Sequence, residues 1–182
     1  ASGDPSPITA RGIFNAITTA HEIRHGSRYL AGRKVSLQGL GHVGWYLASL
    51  LHEAGAQLIV TDVDAARVAA AVEEFGATAV ALDEIYGVEA DIFAPCAIGA
   101  ILNATTIPQL KVSIVAGGAN NQLATPADAE ALAARGILYA PDFVANGGGI
   151  INVATEILEI RDRAGFVAEK LAALDDTMRR IL

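Results

Sequence analysis

The stretch LQGLGHVGWYLASLLHEAGAQLIVTDVD, residues 37–64, decides how the rest of the chain is read. Glycines stand at 39, 41 and 44, between the strand-like KVSLQ (34–38) and the helix-like HVGWYLASLLHEAG (42–55). A second strand-like run, QLIVTD (57–62), then ends on Asp62. A lone G-x-G-x-x-G is weak, because glycine is common in any turn; between a strand and a helix it acquires a mechanism. Gly39 permits the tight turn, Gly41 lets the backbone approach a pyrophosphate, and Gly44 lets helix and strand pack closely. The first helical amides and the positive end of the helix dipole then face the phosphates. Leu40, His42 and Val43 complete the loop, with His42 expected as a pyrophosphate neighbour. Asp62, followed by Val63, is expected to accept hydrogen bonds from both hydroxyls of the adenine ribose. It also repels a 2′-phosphate, so the expected cofactor is NAD rather than NADP. Arg67, a turn into the next helix, reads as a poor clamp for such a phosphate.

Outward from this stretch, strands alternate with helices of ten to fifteen residues, which predicts right-handed crossovers and a mainly parallel sheet. The expected class is α/β, Rossmann-type and doubly wound, with helices on both faces. Residues 1–182 read as one dinucleotide-binding domain, without internal repeats or linkers. A leading helix, ITARGIFNAITTAHEIRHG, has Thr9 as its expected N-cap and Gly26 as its terminator. DAARVAAAVEEFG (64–76) is a further helix, and AVAL (79–82) and DIFAP (91–95) are the next strands. VSIVAGG (112–118) is continuously apolar, hence a strand buried on both faces. TPADAEALAARG (125–136) is a helix with Thr125 as expected N-cap, and ILYAP (137–141) is a sixth strand. Helical patterns run from about Gly147 to Ile160 and from about Ala164 to Leu182.

Composition narrows the function. The chain is 52% hydrophobic and 18% charged, with a net charge of −7. Scattered basic residues on an acidic chain argue against a nucleic-acid partner. No apolar run reaches the ~18–20 residues of a membrane span. The single cysteine, Cys96, excludes an internal disulfide and fits a reducing, cytoplasmic setting. No His/Cys/Asp cluster has ligand spacing, so no metal is expected. Ala1 is not methionine and ASGDPSP reads as a loop rather than a signal peptide, so the chain is expected to start within a longer protein.

SPITARG (6–12), GLGHVG (39–44), VTD (60–62), DIFAPCAIGA (91–100), GGANNQL (117–123) and ILYAPDFVANGGGIINV (137–153) together resemble the NAD-dependent amino-acid dehydrogenases. These are the leucine, phenylalanine and valine dehydrogenases, relatives of glutamate dehydrogenase. The resemblance runs through nearly the whole chain in one order, and it covers their cofactor-binding domain. It implies reversible oxidative deamination of a branched-chain or aromatic L-amino acid to the 2-oxo acid and ammonia. It also implies that Thr9 contacts the nicotinamide carboxamide and that Cys96–Ala97 line the nicotinamide ribose. Asn121 would orient nicotinamide and substrate, and Asn146 would face substrate or cofactor across the cleft. Ile150 and Val153 would border the substrate side chain, although both also suit a plain core. One departure is Gly147, where the family usually has alanine, and a looser turn is expected there.

The chemistry also needs a general base and a cation for the substrate carboxylate. In the family these are lysines and an aspartate of an N-terminal catalytic domain, which this chain lacks. Lys34 and Lys111 fall at strand starts, the wrong end of the sheet, and Lys170 falls in the terminal helices. His21, His25 and His52 read as surface residues, and Cys96 as a small buried neighbour of the cofactor. Asp142, just past the sixth strand, is the best-placed carboxylate, although a turn role after Pro141 fits it equally. No catalytic residue is therefore expected in this chain, and the chain alone is expected to be inactive. Without the catalytic domain, the apolar residues Phe166, Leu171, Leu174, Met178 and Ile181 would be exposed or would support self-association as a homo-oligomer. Two alternatives stand beside this: a standalone NAD-binding regulatory module, and a different small NAD-dependent dehydrogenase using Asp142.

Overall fold

The computed structural model describes residues 4–157, 160 and 162–182, with backbone alone for 152, 153 and 155–157. Lys34–Gln38 (β1) pairs in parallel with Gln57–Thr61 (β2) on one side and with Ile92–Pro95 (β4) on the other. Thr78–Ala79 (β3), Ile114–Val115 (β5) and Leu138–Tyr139 (β6) extend the sheet to the order β3-β2-β1-β4-β5-β6, all parallel. Strand order reverses between β1 and β4, so a crevice opens at their carboxyl ends, where open α/β sheets bind ligands.

The period of two along each strand sorts its side chains between the faces. Val35, Leu37, Leu58, Val60, Ile92, Ala94, Ile114 and Ala116 face one core. That core is covered by Ser6–His25 (α1), His42–Glu53 (α2) and Ala65–Phe75 (α3), joined by Asp142–Ala145 (α5) and Arg163–Ile181 (α7). Ile59, Phe93 and Val115 face the other core. This one is closed by Ala127–Ala134 (α4) and the 3-10 turns Glu84–Gly87 and Ile107–Gln109. The remaining helix, Gly147–Ile157 (α6), packs on α1 and α7.

Several expectations change. The third strand starts at Thr78 rather than 79 and covers two residues, and the fifth is confined to Ile114–Val115. Pro95 has no N–H to continue the ladder, and Gly117 passes directly over it. Thr9 does not cap α1: the helix begins at Ser6, after Pro5, and the Thr9 hydroxyl donates back to the Pro5 carbonyl at 3.1 Å. Thr125 does not cap α4 either; the Asp128 carboxylate instead accepts from its amide at 2.7 Å and its hydroxyl at 2.9 Å. Gly26 does end α1, at φ +75°. His21 is wholly buried, not a surface residue. Its Nδ1 donates to the Ser27 carbonyl at 2.5 Å, which fixes the tautomer and leaves the buried Nε2 without a partner.

The last helix is also less exposed than expected. Leu171 and Met178 are buried and Leu174 packs on the main core, while Ile181 remains outside. A charged clasp seats α7 on α1. Arg28 pairs with Glu22 at 3.2 Å and Asp175 at 3.4 Å, and Arg179 reaches the same Glu22 at 2.6 Å. Asp175 also accepts from the Thr19 hydroxyl.

Phe93 is the largest fully buried side chain and the second core is small, so neighbours cannot collapse into its place. Phe93→Ala is expected to cost about 3–5 kcal/mol, read as a lower urea midpoint with unchanged slope.

Candidate functional site

The glycine turn is built from backbone. Gly39 adopts φ +98°, and a Cβ there would stand 2.8 Å from the Ala97 Cβ and 2.9 Å from its nitrogen. Only glycine meets both conditions. Its amide donates to the Thr61 carbonyl at 2.9 Å, which ties the turn to β2. A Cβ on Gly44 would overlap the Gly39 carbonyl, so α2 sits directly against the end of β1. Gly41 is the N-cap of α2 with no side chain capping it, which leaves the first-turn amides free for an anion. A Cβ on Gly41 would have only Arg67 Nη1 nearby, at 3.8 Å. Leu40 is buried, His42 is exposed 3.9 Å from Asp4, and Val43 packs beside Gly118.

Asp62, one residue past β2, is gripped from both sides. Its Oδ2 accepts from the Leu40 amide at 2.5 Å and its Oδ1 from the Asp64 amide at 2.8 Å. Each oxygen keeps a lone pair for a further donor. Beside it a cavity of about 280 Å³ is lined by Gly39, Asp62, Val63, Leu82, Tyr86, Ala97 and Ile98 among others. Val63 is 85% exposed and Ile98 65% exposed, an apolar rim around an acid. A larger cavity, about 680 Å³, opens at the other end of the sheet among Lys34, Gln57, Leu58 and Thr78, away from the glycine turn.

On the other side of the crevice, Cys96 donates its amide to the Gln38 carbonyl at 2.7 Å, and its Sγ accepts from the Gly118 amide at 3.4 Å. Burial pushes its thiol up to about 12. Asn146, the C-cap of α5, donates to the Gly118 carbonyl and to Asn120 Oδ1, both at 3.0 Å. Its Oδ1 is buried and unpartnered, an acceptor without a donor. Thr9 lies against the start of α6, its Oγ1 3.0 Å from where a Gly149 Cβ would stand. Asn121 is exposed and left-handed at φ +51°. Its amide donates to Asp142 Oδ2 at 2.5 Å. Asp142 thus braces the Asn121 turn. Burial, with Asp142 beside it, holds the Tyr139 hydroxyl well above the usual tyrosine range.

The turn, Asp62, Val63, Cys96, Ala97, Thr9, Asn121 and Asn146 all lie toward the carboxyl edge of the sheet. Ile150 is on the same side and 75% exposed, so the plain-core reading fails for it; the side chain of Val153 lies outside the described residues. Leu174 occupies the space a methyl would take at Gly147. The lysines fall as expected: Lys34 opens β1, Lys111 bridges to Glu89 before β5, and Lys170 pairs with Glu169 at 2.9 Å on α7. Among the described residues no cluster of His, Cys, Asp or Glu could hold a metal, and no helix is long and apolar enough to cross a membrane. Sequence reasoning missed Asn120, Leu82, Ile98 and the reach of Arg67 to the glycine turn. The two apolar residues follow strand ends, which is the signal that could have found them.

A family model described as glutamate/leucine/phenylalanine/valine dehydrogenase matches residues 57–182. The chain belongs to that family. It is 49% identical over 181 residues to a leucine dehydrogenase of Geobacillus stearothermophilus, covering 99% of this chain and 48% of that protein. It is 47% identical over 161 residues to a phenylalanine dehydrogenase of Lysinibacillus sphaericus, covering 86% of this chain and 42% of the relative. The crystal structure of L-tryptophan dehydrogenase from Nostoc punctiforme superposes with a TM-score of 0.93 at 47% identity, over 98% of this chain and 54% of that one. The chain therefore spans about half the length of these members of the glutamate/leucine/phenylalanine/valine dehydrogenase family, and its α/β sheet is the Rossmann-type sheet they contain.

Two outcomes follow from this geometry. Gly44→Ala is expected to lower stability by several kcal/mol, about 3 or more, because the overlap is with backbone that cannot swing away; thermal unfolding reads it. Cys96, protonated at pH 8, is expected to react with a disulfide reagent at least about a hundredfold slower in the folded chain than in urea.

Proposed function

We propose that the chain is the cofactor-binding domain of an NAD-dependent L-amino-acid dehydrogenase, which interconverts an L-amino acid with its 2-oxo acid and ammonia. The observation that carries this reading is the Asp62 carboxylate, fixed by the Leu40 and Asp64 amides at the lip of the glycine turn. An acid held there accepts both hydroxyls of an adenine ribose and opposes a 2′-phosphate. Three further features fit a dinucleotide: the uncapped start of α2 suits a pyrophosphate, the apolar rim of Val63, Leu82 and Ile98 suits an adenine, and the orphaned Asn146 Oδ1 suits an amide donor. When bound, the dinucleotide supplies the hydride acceptor, so that the amine carbon becomes an imine that water hydrolyses.

The chain's own residues bind and orient. Gly39, Leu40, Gly41, His42, Val43 and Gly44 cradle the phosphates, and Asp62 with Val63 holds the adenosine. Cys96 and Ala97 line the nicotinamide ribose, while Thr9, Asn121 and Asn146 take the carboxamide and the reacting end. Asparagine suits this task because it donates and accepts without adding charge. Ile150 borders the substrate side chain, and the names of the relatives support a leucine-like or aromatic amino acid as substrate. The base and the carboxylate-binding cation come from an N-terminal catalytic domain. In support, Lys34 and Lys111 lie at the opposite edge of the sheet, and the Lys170 ammonium sits over the Phe166 ring on α7. Asp142 is committed to the Asn121 amide, which disfavours it as that base.

Isothermal titration of the 182-residue chain is expected to show NAD binding tighter than NADP binding. Asp62→Asn should lose roughly tenfold or more in NAD affinity, about 1.4 kcal/mol or more, and narrow the gap to NADP. No NAD binding by the unaltered chain would defeat the reading. Turnover of leucine or phenylalanine by this chain alone would defeat the assignment of the base to another domain.

A further inference from the structure

We propose that Arg67 is a phosphate-binding group of the cofactor site, acting on the adenosine half of the dinucleotide; this rests on the dinucleotide reading above. Position 67 lies in the first turn of α3, and from the sequence its guanidinium belongs to α3 alone. In the structure it reaches back over the glycine turn, with Nη1 3.8 Å from where a Gly41 Cβ would stand. Gly41 is the point at which the loop leaves its backbone open, and α2 begins there with no side-chain cap. The guanidinium therefore flanks the same space that the free amides of α2 address. A cavity of about 520 Å³ is lined by both elements, through Leu40, Gly41 and His42 on one side and Ala66, Arg67 and Ala70 on the other, with Asp4 at its rim.

Two features leave Arg67 able to act. Its Nε pairs with Asp64 Oδ2 at 3.4 Å, and both side chains are about half-exposed, 47% each. Such a surface pair holds weakly in water and releases readily. A phosphate offers the guanidinium a stronger, two-pronged partner. Asp64, meanwhile, is anchored independently, because its Oδ1 caps α3 by accepting from the Ala66 amide at 3.0 Å and the Arg67 amide at 3.4 Å. The Asp62 carboxylate, by contrast, is turned to the Leu40 and Asp64 amides, so it does not compete for Arg67. The site thus joins an acid for the ribose hydroxyls to a cation for a phosphate. That phosphate is either the 5′-linked pyrophosphate or a 2′-phosphate, and the two are separable by experiment.

The test is titration calorimetry of the 182-residue chain and its Arg67→Met, Arg67→Lys and Asp64→Asn variants with NAD, NADP and adenosine. Arg67→Met is expected to weaken NAD binding about tenfold, with adenosine unchanged and with partial recovery in Arg67→Lys. A loss confined to NADP would support the same residue acting on a 2′-phosphate. Asp64→Asn retains the helix cap and frees the guanidinium, so phosphate-bearing ligands should bind more tightly and adenosine should not. Unchanged affinity for both NAD and NADP in Arg67→Met would overturn the proposal while leaving the dinucleotide reading intact. An equal loss for adenosine would also overturn it, since that would mark a packing role. Failure of the unaltered chain to bind NAD or NADP would defeat both together.

Discussion

Everything at the carboxyl edge depends on one close approach, the carbonyl of Gly39 lying under residue 44. With no Cβ at 44, α2 begins immediately at the end of β1, and its first amides point into the crevice rather than past it. The same turn places the Leu40 amide where it can grip Asp62. Gly39 in turn tolerates Ala97 at contact distance, which brings the loop after β4 alongside. Three segments far apart in sequence are thereby held together by backbone contact. Side chains then complete the site: an acid after β2, a half-buried cysteine and an exposed alanine after β4, and asparagines after β5 and β6.

The parts legible in the sequence were those set by local chemistry. β1 was read to the residue, and α2, β2 and α3 to within a residue or two, because each is bounded by a glycine or a capping acid acting on its neighbours. The peripheral strands are shorter than the apolar runs at 79–82 and 112–118 suggest; for the second of these, apolar content does not reveal that a proline in β4 ends the ladder beside β5. Thr9 and Thr125 have the right residue type for an N-cap, yet α1 begins after Pro5, well before Thr9, and Pro126, the neighbour of Thr125, stands at the start of α4. His21 was misplaced for a different reason: its burial comes from the return of the chain at Ser27, which a helical pattern does not show. Arg67 is the same kind of miss, a long side chain whose reach depends on how α3 sits beside α2.

The two faces of the sheet serve different ends. The face carrying α1, α2 and α3 holds the larger core and sets the angle at which α2 meets the crevice. The other face is closed by short 3-10 turns and α4, and its strand residues include the polar Ser36 and Gln38. Gln38 donates to Tyr86 at 2.8 Å, and Tyr86 lines the cavity beside Asp62. The second face thus supplies a wall of the same crevice by a polar strut rather than by a helix.

The clasp between Arg28, Glu22, Asp175 and Arg179 joins the first helix of this chain to the last. Thr19 and Asp175 are separated by most of the sequence, as are Glu22 and Arg179. During synthesis α1 therefore emerges long before α7, and its acidic and hydroxyl groups stay in water until α7 has also emerged. Contacts of such long range slow assembly. The helix that carries Thr9 to the crevice thus lacks one of its supports until α7 has folded onto it, although α2 and α6 also pack against it.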